Sequence, residues 1–319
     1  MSTSGGTRAI IAALLANTGI AITKFIAFLI SGSSSMLAES VHSLADTGNQ
    51  GLLLLGGKRA KKAADPSHPF GYGRERYVWA FVVAIVLFSI GGVFSIYEGV
   101  HKLEHPEPIR QAWLPIAVLL IAIGLESFSL RTALHESAPQ RRGISVYTFV
   151  RRSKAPELPV VLLEDIAALA GLVLALIGVG ASVITGDGVW DGIGSVAIGV
   201  LLVLVALVLG VETQSLLVGE GASETDVRAM TAAALDGHDI EQIIHMRTLY
   251  LGPDEMLVAM KVAVRGSDSA ADIAGSIDAV EARVRAAVPA ATVMYIEPDL
   301  FDANYVPAEK PAAPESGGH

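Results

Sequence analysis

The residues most able to do chemistry lie in one short stretch, SSMLAESVHSLADTGNQ at 34–50. His42 and Asp46 are four residues apart, so a helix places both side chains on one face, one turn apart. Glu39, three residues before His42, falls near the same stripe on the outer side. An imidazole and a carboxylate that converge in this way can hold a divalent cation if another helix completes the coordination. The spacing therefore predicts a metal-binding face.

The flanking sequence indicates that this face lies inside a membrane. The chain has 319 residues, of which 52% are hydrophobic and 17% charged, against about 25% charged in a typical soluble domain. Its mean hydropathy is +0.52. Apolar runs recur at 10–30, 36–57, 77–100, 113–134, 158–184 and 189–209. Each is long enough to cross a hydrocarbon core of about 30 Å. We predict a bundle of six transmembrane helices within residues 1–215.

Further ionisable residues lie within these runs. Glu126 lies in the fourth run, and Glu164 and Asp165 lie in the fifth. A charged side chain in the hydrocarbon region costs several kcal/mol, so it usually faces a bundle interior or an aqueous cavity. Lys24 is the only basic residue in the first two runs, and we expect these acids, together with Glu39 and Asp46, to have no basic partner. Unpaired acids in a membrane interior are typical of groups that bind an exchangeable cation or carry protons.

Some polar residues have a simpler explanation. Asn49 and Gln50 lie deeper in the second run than His42, and they can serve as interhelical hydrogen-bond partners. The same explanation applies to Glu126 when it is taken alone. The sequence leaves the roles of Glu39 and Glu126 open.

Loop charges predict the orientation. Segments 58–76 and 131–154 contain twelve Lys and Arg residues, whereas the loops on the opposite side contain only Lys102 and Arg110. By the positive-inside rule, we expect a multi-pass protein of the cell (inner) membrane with cytoplasmic N- and C-termini. We also expect that the opening residues do not form a secretory signal. The chain has no cysteine, which excludes disulfides, thiolate metal sites and a cysteine nucleophile.

A change of composition marks a second part of the chain. Residues 216–319 contain 17 Asp and Glu against 7 Lys and Arg, which argues against nucleic-acid binding. Helical patterns at 223–236 and 270–288, and strand patterns at 241–251, 255–264 and 291–298, predict a small cytoplasmic α+β domain of order αββαβ at 216–300. The tail 301–319, rich in Pro, Ala, Gly and Ser, is predicted to be disordered.

These features together resemble the cation diffusion facilitator family of divalent-metal transporters. The resemblance covers nearly the whole chain and is carried by His42-Ser43-Leu44-Ala45-Asp46 and by ADPSHPFGYGRERY at 64–77. It implies a membrane α-helical fold of six spans followed by a small ferredoxin-like cytoplasmic domain, and a homodimer formed through both parts.

The fifth run departs from the family pattern. Members commonly have a histidine four residues before the aspartate, but here Val161 precedes Asp165 at that position. The resemblance is closest to the subgroup with LLED in this helix. It implies a metal site of His42, Asp46, Asp165 and Glu164, although adjacent helical residues point about 100° apart. One imidazole with carboxylates makes a harder site, less committed to Zn²⁺ and more tolerant of Mn²⁺ or Fe²⁺.

The resemblance also implies secondary metal sites. Asp65 and His68 match a loop site, in which Tyr72 replaces a second histidine. His245 and Glu297 match positions of a metal cluster in the cytoplasmic domain. In both places other expected ligands are missing, so a structural turn in the loop and a dimerisation role for the domain are the alternatives.

The function that follows is a non-enzymatic exporter. We predict a homodimer that moves a divalent cation (Zn²⁺, Mn²⁺ or Fe²⁺) out of the cytoplasm by alternating access, coupled to inward proton flow. The cation is the substrate, and no cofactor is expected. An intramembrane metal-dependent enzyme is one alternative, although no HExxH-like helix is present. An ion channel is the other, although channels usually select ions through rings of carbonyls or charges.

Overall fold

The computed structural model describes residues 18–141 and 143–302. Two compact units make up the chain: Met1–Glu220 with Tyr250–Asp254, and Gly221–Leu249 with Glu255–His319. We call them the helical unit and the α+β unit. The start of the first apolar run, and residues 303–319 of the tail 301–319 that is predicted to be disordered, lie outside the described residues.

Long helices form the helical unit. They are α1 (Thr18–Ser31), α2 (Ser34–Arg59), α3 (Glu75–Glu104), α4 (Trp113–Arg141), the short α5 (Val146–Arg152), α6 (Glu157–Thr185) and α7 (Val189–Val218). Helix α3 has a π-helical segment at Leu87–Val93. Helices α2, α3, α4, α6 and α7 correspond to the second to sixth predicted runs. The short helix α5, which the sequence did not predict, lies in the basic segment between α4 and α6.

Within the described ranges, four helices are long and apolar enough to cross a membrane: Glu75–Glu104, Trp113–His135, Glu157–Thr185 and Val189–Val218. Helix α1 is apolar but shorter over its described residues, and α2 carries the polar stretch at 34–50. Many outward-facing side chains are apolar and exposed, among them Leu29, Phe128, Ile177, Leu204 and Val211. Apolar exposure on this scale is expected of a surface that contacts lipid. The chain is therefore a multi-pass membrane protein.

Helices α3 and α7 pack closely, with glycines where their backbones approach each other. A Cβ added to Gly99 would lie 2.6 Å from the Val196 nitrogen, and one added to Gly199 would lie 2.7 Å from the Ile96 nitrogen. Real Cβ atoms do not approach backbone so closely, so both positions require glycine. Small residues that let backbones meet are the usual means of helix association in membranes, where no hydrophobic effect drives it.

The N-terminus of α2 is held by a carboxylate of α7. Asp191, which is fully buried, accepts hydrogen bonds from the Ser34 backbone nitrogen (2.7 Å) and the Ser33 hydroxyl (2.8 Å). The Ser35 backbone nitrogen donates to the same carboxylate at 3.3 Å. A carboxylate at a helix N-terminus satisfies free backbone N–H groups and is favoured by the helix dipole. These bonds fix the height of α2 in the bundle, and so the height of His42 and Asp46.

The elements of the α+β unit are α8 (Glu224–Leu235), β1 (Gln242–Gly252, of which residues 250–252 are counted with the helical unit), β2 (Glu255–Ala263), α9 (Ala270–Ala287) and β3 (Ala291–Asp299). The strands form a mixed sheet of order β1-β2-β3, in which β2 and β3 are parallel. Ser223 and Ser269 cap the two helices, each accepting a hydrogen bond from a backbone N–H in the first turn. The element order αββαβ is the predicted one, because caps and turns are local signals.

Candidate metal-binding site

A cavity of about 570 Å³ lies between α1, α2, α4 and α6. Asp46 of α2, Glu126 of α4, and Glu164 and Asp165 of α6 all line it. Apolar side chains form most of the remaining wall, and no lysine or arginine is among the described residues that line the cavity. The carboxylates of such a cavity attract cations, and its apolar wall offers no basic side chain to compete with a cation for them.

His42 and Asp46 converge on one face of α2, as their spacing predicts. The His42 Nδ1 atom lies 3.4 Å from the Asp46 Oδ1 atom. The His42 side chain is 1% exposed, and neither of its ring nitrogens has a hydrogen-bond partner among the described residues. Asp46 Oδ1 is likewise without a hydrogen bond within that part of the chain. Buried polar atoms are almost always hydrogen-bonded in folded proteins, so three such atoms together indicate a place for a ligand.

Glu164 and Asp165 both line the cavity but have different partners. The Asn49 amide of α2 donates to Glu164 Oε1 at 2.8 Å. The Ser129 hydroxyl of α4 donates to Asp165 Oδ2 at 3.2 Å. The interpretation of Asn49 as an interhelical hydrogen-bond donor is confirmed. The separate partners reflect the rotation of about 100° between adjacent helical residues.

The four residues predicted as metal ligands thus lie around one region of the helical unit. In this conformation, the described residues contain no group of three or more His, Asp or Glu side chains close enough together to hold a metal ion. The ligand role of His42, Asp46, Glu164 and Asp165 stays a prediction. Glu126, whose role the sequence left open, shares the cavity with three of them.

One expectation about the acids is wrong. Lys24 of α1 is 1% exposed, and its ammonium donates to Glu39 Oε2 at 2.9 Å and to the Ser43 hydroxyl at 2.8 Å. Glu39 therefore has a basic partner, contrary to the expectation that the intramembrane acids have none. The sequence showed Lys24 but could not show that α1 turns it toward α2.

In the loop after α2, a lysine and several hydroxyl and amide donors surround Asp65. Lys62 and the Tyr72 hydroxyl donate to Oδ2 at 2.9 and 2.7 Å. Ser67 and the His68 backbone nitrogen donate to Oδ1. Hydrogen bonds from Ser67, Tyr72 and Lys62 hold the pKa of Asp65 well below its usual range. A metal at Asp65 and His68 would have to displace these donors, and the loop site stays a prediction.

The remaining predicted pair lies in the sheet of the α+β unit. His245 is on β1 and Glu297 is on β3, with β2 between them. Glu297 Oε1 lies 3.1 Å from the Lys261 ammonium of β2. The hydrogen bonds that the Lys261 ammonium donates to Asp299 and Glu297 hold the pKa of Lys261 above its usual range. The sheet order gives no support to a joint site, and this pair also stays a prediction.

Comparison with known proteins adds a family and several relatives. A family model described as the cation efflux transmembrane domain matches residues 10–218. The chain is 34% identical to the proton-coupled zinc antiporter SLC30A9, mitochondrial, of Homo sapiens, over 231 residues that make up 72% of this chain. It is 29% identical to metal tolerance protein C4 of Arabidopsis thaliana over 261 residues, 81% of this chain and 57% of that protein.

A more distant relative is the magnetosome protein MamM of Magnetospirillum gryphiswaldense, with 25% identity over 133 residues, 40% of this chain and 41% of that protein. The match to the human antiporter covers 41% of that protein's length. The similarity to that antiporter therefore concerns a part of it.

Proposed function

Because the chain belongs to the cation diffusion facilitator family, as its motifs predict, we propose that it exports divalent metal cations from the cytoplasm in exchange for protons. The observation that carries this proposal is the buried His42–Asp46 pair beside a carboxylate-lined cavity, with polar atoms that no described residue satisfies. The names of the relatives, a proton-coupled zinc antiporter and a metal tolerance protein, support it.

Metal and protons compete for the same atoms in this arrangement. An imidazole or carboxylate must be deprotonated before it can bind a metal, so protonation of His42 and Asp46 releases the cation. Asp165 supplies negative charge that offsets the loss of the cation's hydration shell. Glu164, with its hydrogen bond from Asn49, joins the ligands or relays protons. Alternating exposure of these groups to the two sides of the membrane would then exchange metal for protons.

The ligand types favour a range of metals. One imidazole with two or three carboxylates is a harder set than the several imidazoles that suit zinc best, so we propose Zn²⁺, Mn²⁺ and Fe²⁺ as substrates. The cation is carried and not retained, and we propose no resident cofactor and no enzymatic reaction.

Topology and assembly complete the proposal. We propose six spans, with the part of the first run before residue 18 included, and a cell-membrane protein with both termini in the cytoplasm. The α+β unit would then be a ferredoxin-like cytoplasmic domain that contributes to a homodimer, as would the helical unit. Cross-linking of the protein in detergent, or a scattering measurement of its molecular mass there, tests whether it forms a dimer.

Reconstitution into proteoliposomes tests the transport proposal. The vesicles enclose one dye that reports Zn²⁺ and another that reports pH, and Zn²⁺ is then added outside. We expect Zn²⁺ to enter and the internal pH to rise in parallel, because protons leave as the metal enters. Vesicles without protein are the control, and Mn²⁺ and Fe²⁺ are tested in the same way.

The two alternatives give different results. A channel admits Zn²⁺ without raising the internal pH beyond the control, and an enzyme admits no metal. Either result would contradict proton-coupled export.

A further inference from the structure

The ion pair of Lys24 and Glu39 lies inside the helical unit, next to the predicted ligands. Both side chains are buried, with exposures of 1% and 0%. The Lys24 ammonium also donates to Ser43, the residue after His42. The mechanism above uses neither charged residue, yet two buried charges are expensive to retain in a membrane.

Glu39 lies near the predicted ligands. It lies three residues before His42 on α2, on the same face of that helix. Its carboxylate also reaches α6, because a Cβ added to Gly171 would lie 2.7 Å from Glu39 Oε1. Gly171 follows Glu164 and Asp165 on the same helix. The Glu39 carboxylate therefore lies between the two helices that carry the predicted ligands.

One oxygen of Glu39 is not satisfied by hydrogen bonds. Oε2 accepts from Lys24, whereas Oε1 is buried and has no hydrogen-bond partner among the residues of the described ranges. Without the ammonium, this carboxylate would be a full negative charge about one helical turn from His42. A divalent cation at His42 and Asp46 would then be attracted by one more charge.

We propose that Lys24 is a positioning residue that neutralises Glu39 and keeps this carboxylate out of the metal's ligand set. The pair has no net charge, so the cation is held by the predicted ligands alone and can be released. This inference rests on the proposed transport function. It assigns to Lys24 a role in setting metal affinity. Glu39 is a carboxylate that stays paired with Lys24 and does not bind the metal.

The proposal predicts opposite effects of removing either charge. In Lys24→Met no ammonium balances Glu39 and a bound Zn²⁺ can take its place, so the KM and the dissociation constant for Zn²⁺ fall about tenfold, and the maximal rate falls because a tightly held ion leaves slowly. Glu39→Gln leaves the ammonium unbalanced, so both constants rise about tenfold. The double variant Lys24→Met/Glu39→Gln returns both constants to within about threefold of the unmodified protein. Lys24→Arg retains the charge and changes them little.

The measurements are Zn²⁺ uptake into proteoliposomes and calorimetric titration of the full chain in detergent with Zn²⁺ alone. A purely structural role for the pair predicts loss of folded protein in both single variants and its recovery in the double variant, with the Zn²⁺ constants of the folded protein unchanged in all three. Shifts of the two single variants in the same direction, or a double variant worse than both, would overturn the proposal. If Lys24→Met does not fold, Glu39→Gln decides the matter: a raised constant supports the proposal and an unchanged or lowered one overturns it.

Failure of the proposed function gives a separate result. If the unmodified protein neither moves nor binds Zn²⁺, Mn²⁺ or Fe²⁺, the transport proposal is wrong. If it moves metal but the variants do not shift in opposite directions, only the role of Lys24 and Glu39 is wrong.

Discussion

The helical unit contains two histidine–aspartate pairs with nearly the same separation between ring nitrogen and carboxylate oxygen. His42 Nδ1 lies 3.4 Å from Asp46 Oδ1, and His68 Nδ1 lies 3.6 Å from Asp65 Oδ1. Their surroundings differ. His42 is 1% exposed and its nitrogens have no hydrogen bond within the described residues, whereas His68 is 54% exposed and its Nδ1 is within 2.9 Å of the Ser67 hydroxyl.

The partners of the two aspartates make the difference clearer. Asp65 has donors on both oxygens, including the ammonium of Lys62, which provides the positive charge that a metal would provide. Asp46 has an unsatisfied Oδ1 and faces a cavity lined by further carboxylates. A pair of ligand-type residues at a suitable distance is therefore a weak signal. The signal becomes strong when the surrounding protein leaves the pair unsatisfied and places negative charge nearby.

The largest expected effect separates the two aspartates directly. Asp46→Ala should reduce Zn²⁺ uptake into proteoliposomes by more than about 100-fold, because loss of a direct ligand should exceed the 10–100-fold cost of losing an outer partner. Asp65→Ala, the matched control in the loop, should change uptake less than about twofold. If Asp46→Ala moves Zn²⁺, Mn²⁺ and Fe²⁺ as fast as the unmodified protein, the site assignment is wrong. An equal loss of Zn²⁺ uptake in Asp65→Ala would instead support the predicted metal site in the loop.

A smaller effect tests whether the hydrogen bond from Asn49 to Glu164 contributes to transport. Asn49→Leu removes the donor to Glu164 Oε1, so we expect Zn²⁺ uptake to fall about tenfold. Thr47→Val is a matched control on the same helix, because the Thr47 hydroxyl bonds only to the backbone oxygen of Ser43 in the part of α2 that is described. Uptake by Thr47→Val should stay within about twofold of normal. Equal rates in the two variants would show that the hydrogen bond from Asn49 to Glu164 does not contribute to transport.

The smallest effect concerns the stability of the loop. Because hydrogen bonds lower the pKa of folded Asp65, its contribution to stability is present above the ordinary aspartate pKa of about 3.9 and is lost as the pH falls below it. Asp65→Asn should lower the melting temperature at pH 7 by about 1–2 °C. The difference from the unmodified protein should shrink as the pH falls from 5 toward 3. A difference that is constant over this range would contradict the ionised, hydrogen-bonded state of Asp65.

Much of the fold could be predicted from the sequence because its signals are local. The apolar runs predict the long helices, and the turn at Gly252-Pro253-Asp254 separates the predicted strands that are found as β1 and β2. The spacing of His42 and Asp46 predicts their convergence, since residues four apart on a helix lie on one face wherever that helix is placed. The motif around them predicts the family, which the comparison confirms.

The partners across helices were decided only by the tertiary structure. The bonds of Lys24 to Glu39, of Asn49 to Glu164 and of Asp191 to the start of α2 join residues 15, 115 and 157 positions apart in the chain. Each depends on the rotation and height of two helices relative to one another. Those quantities are set by contacts between helices, of which the Asp191 bonds and the close packing of α3 and α7 at Gly99 and Gly199 are examples, and no local pattern encodes them. The sequence alone therefore determined which side chains could bind a cation, and the packing of the helices decided which of them are left without a partner.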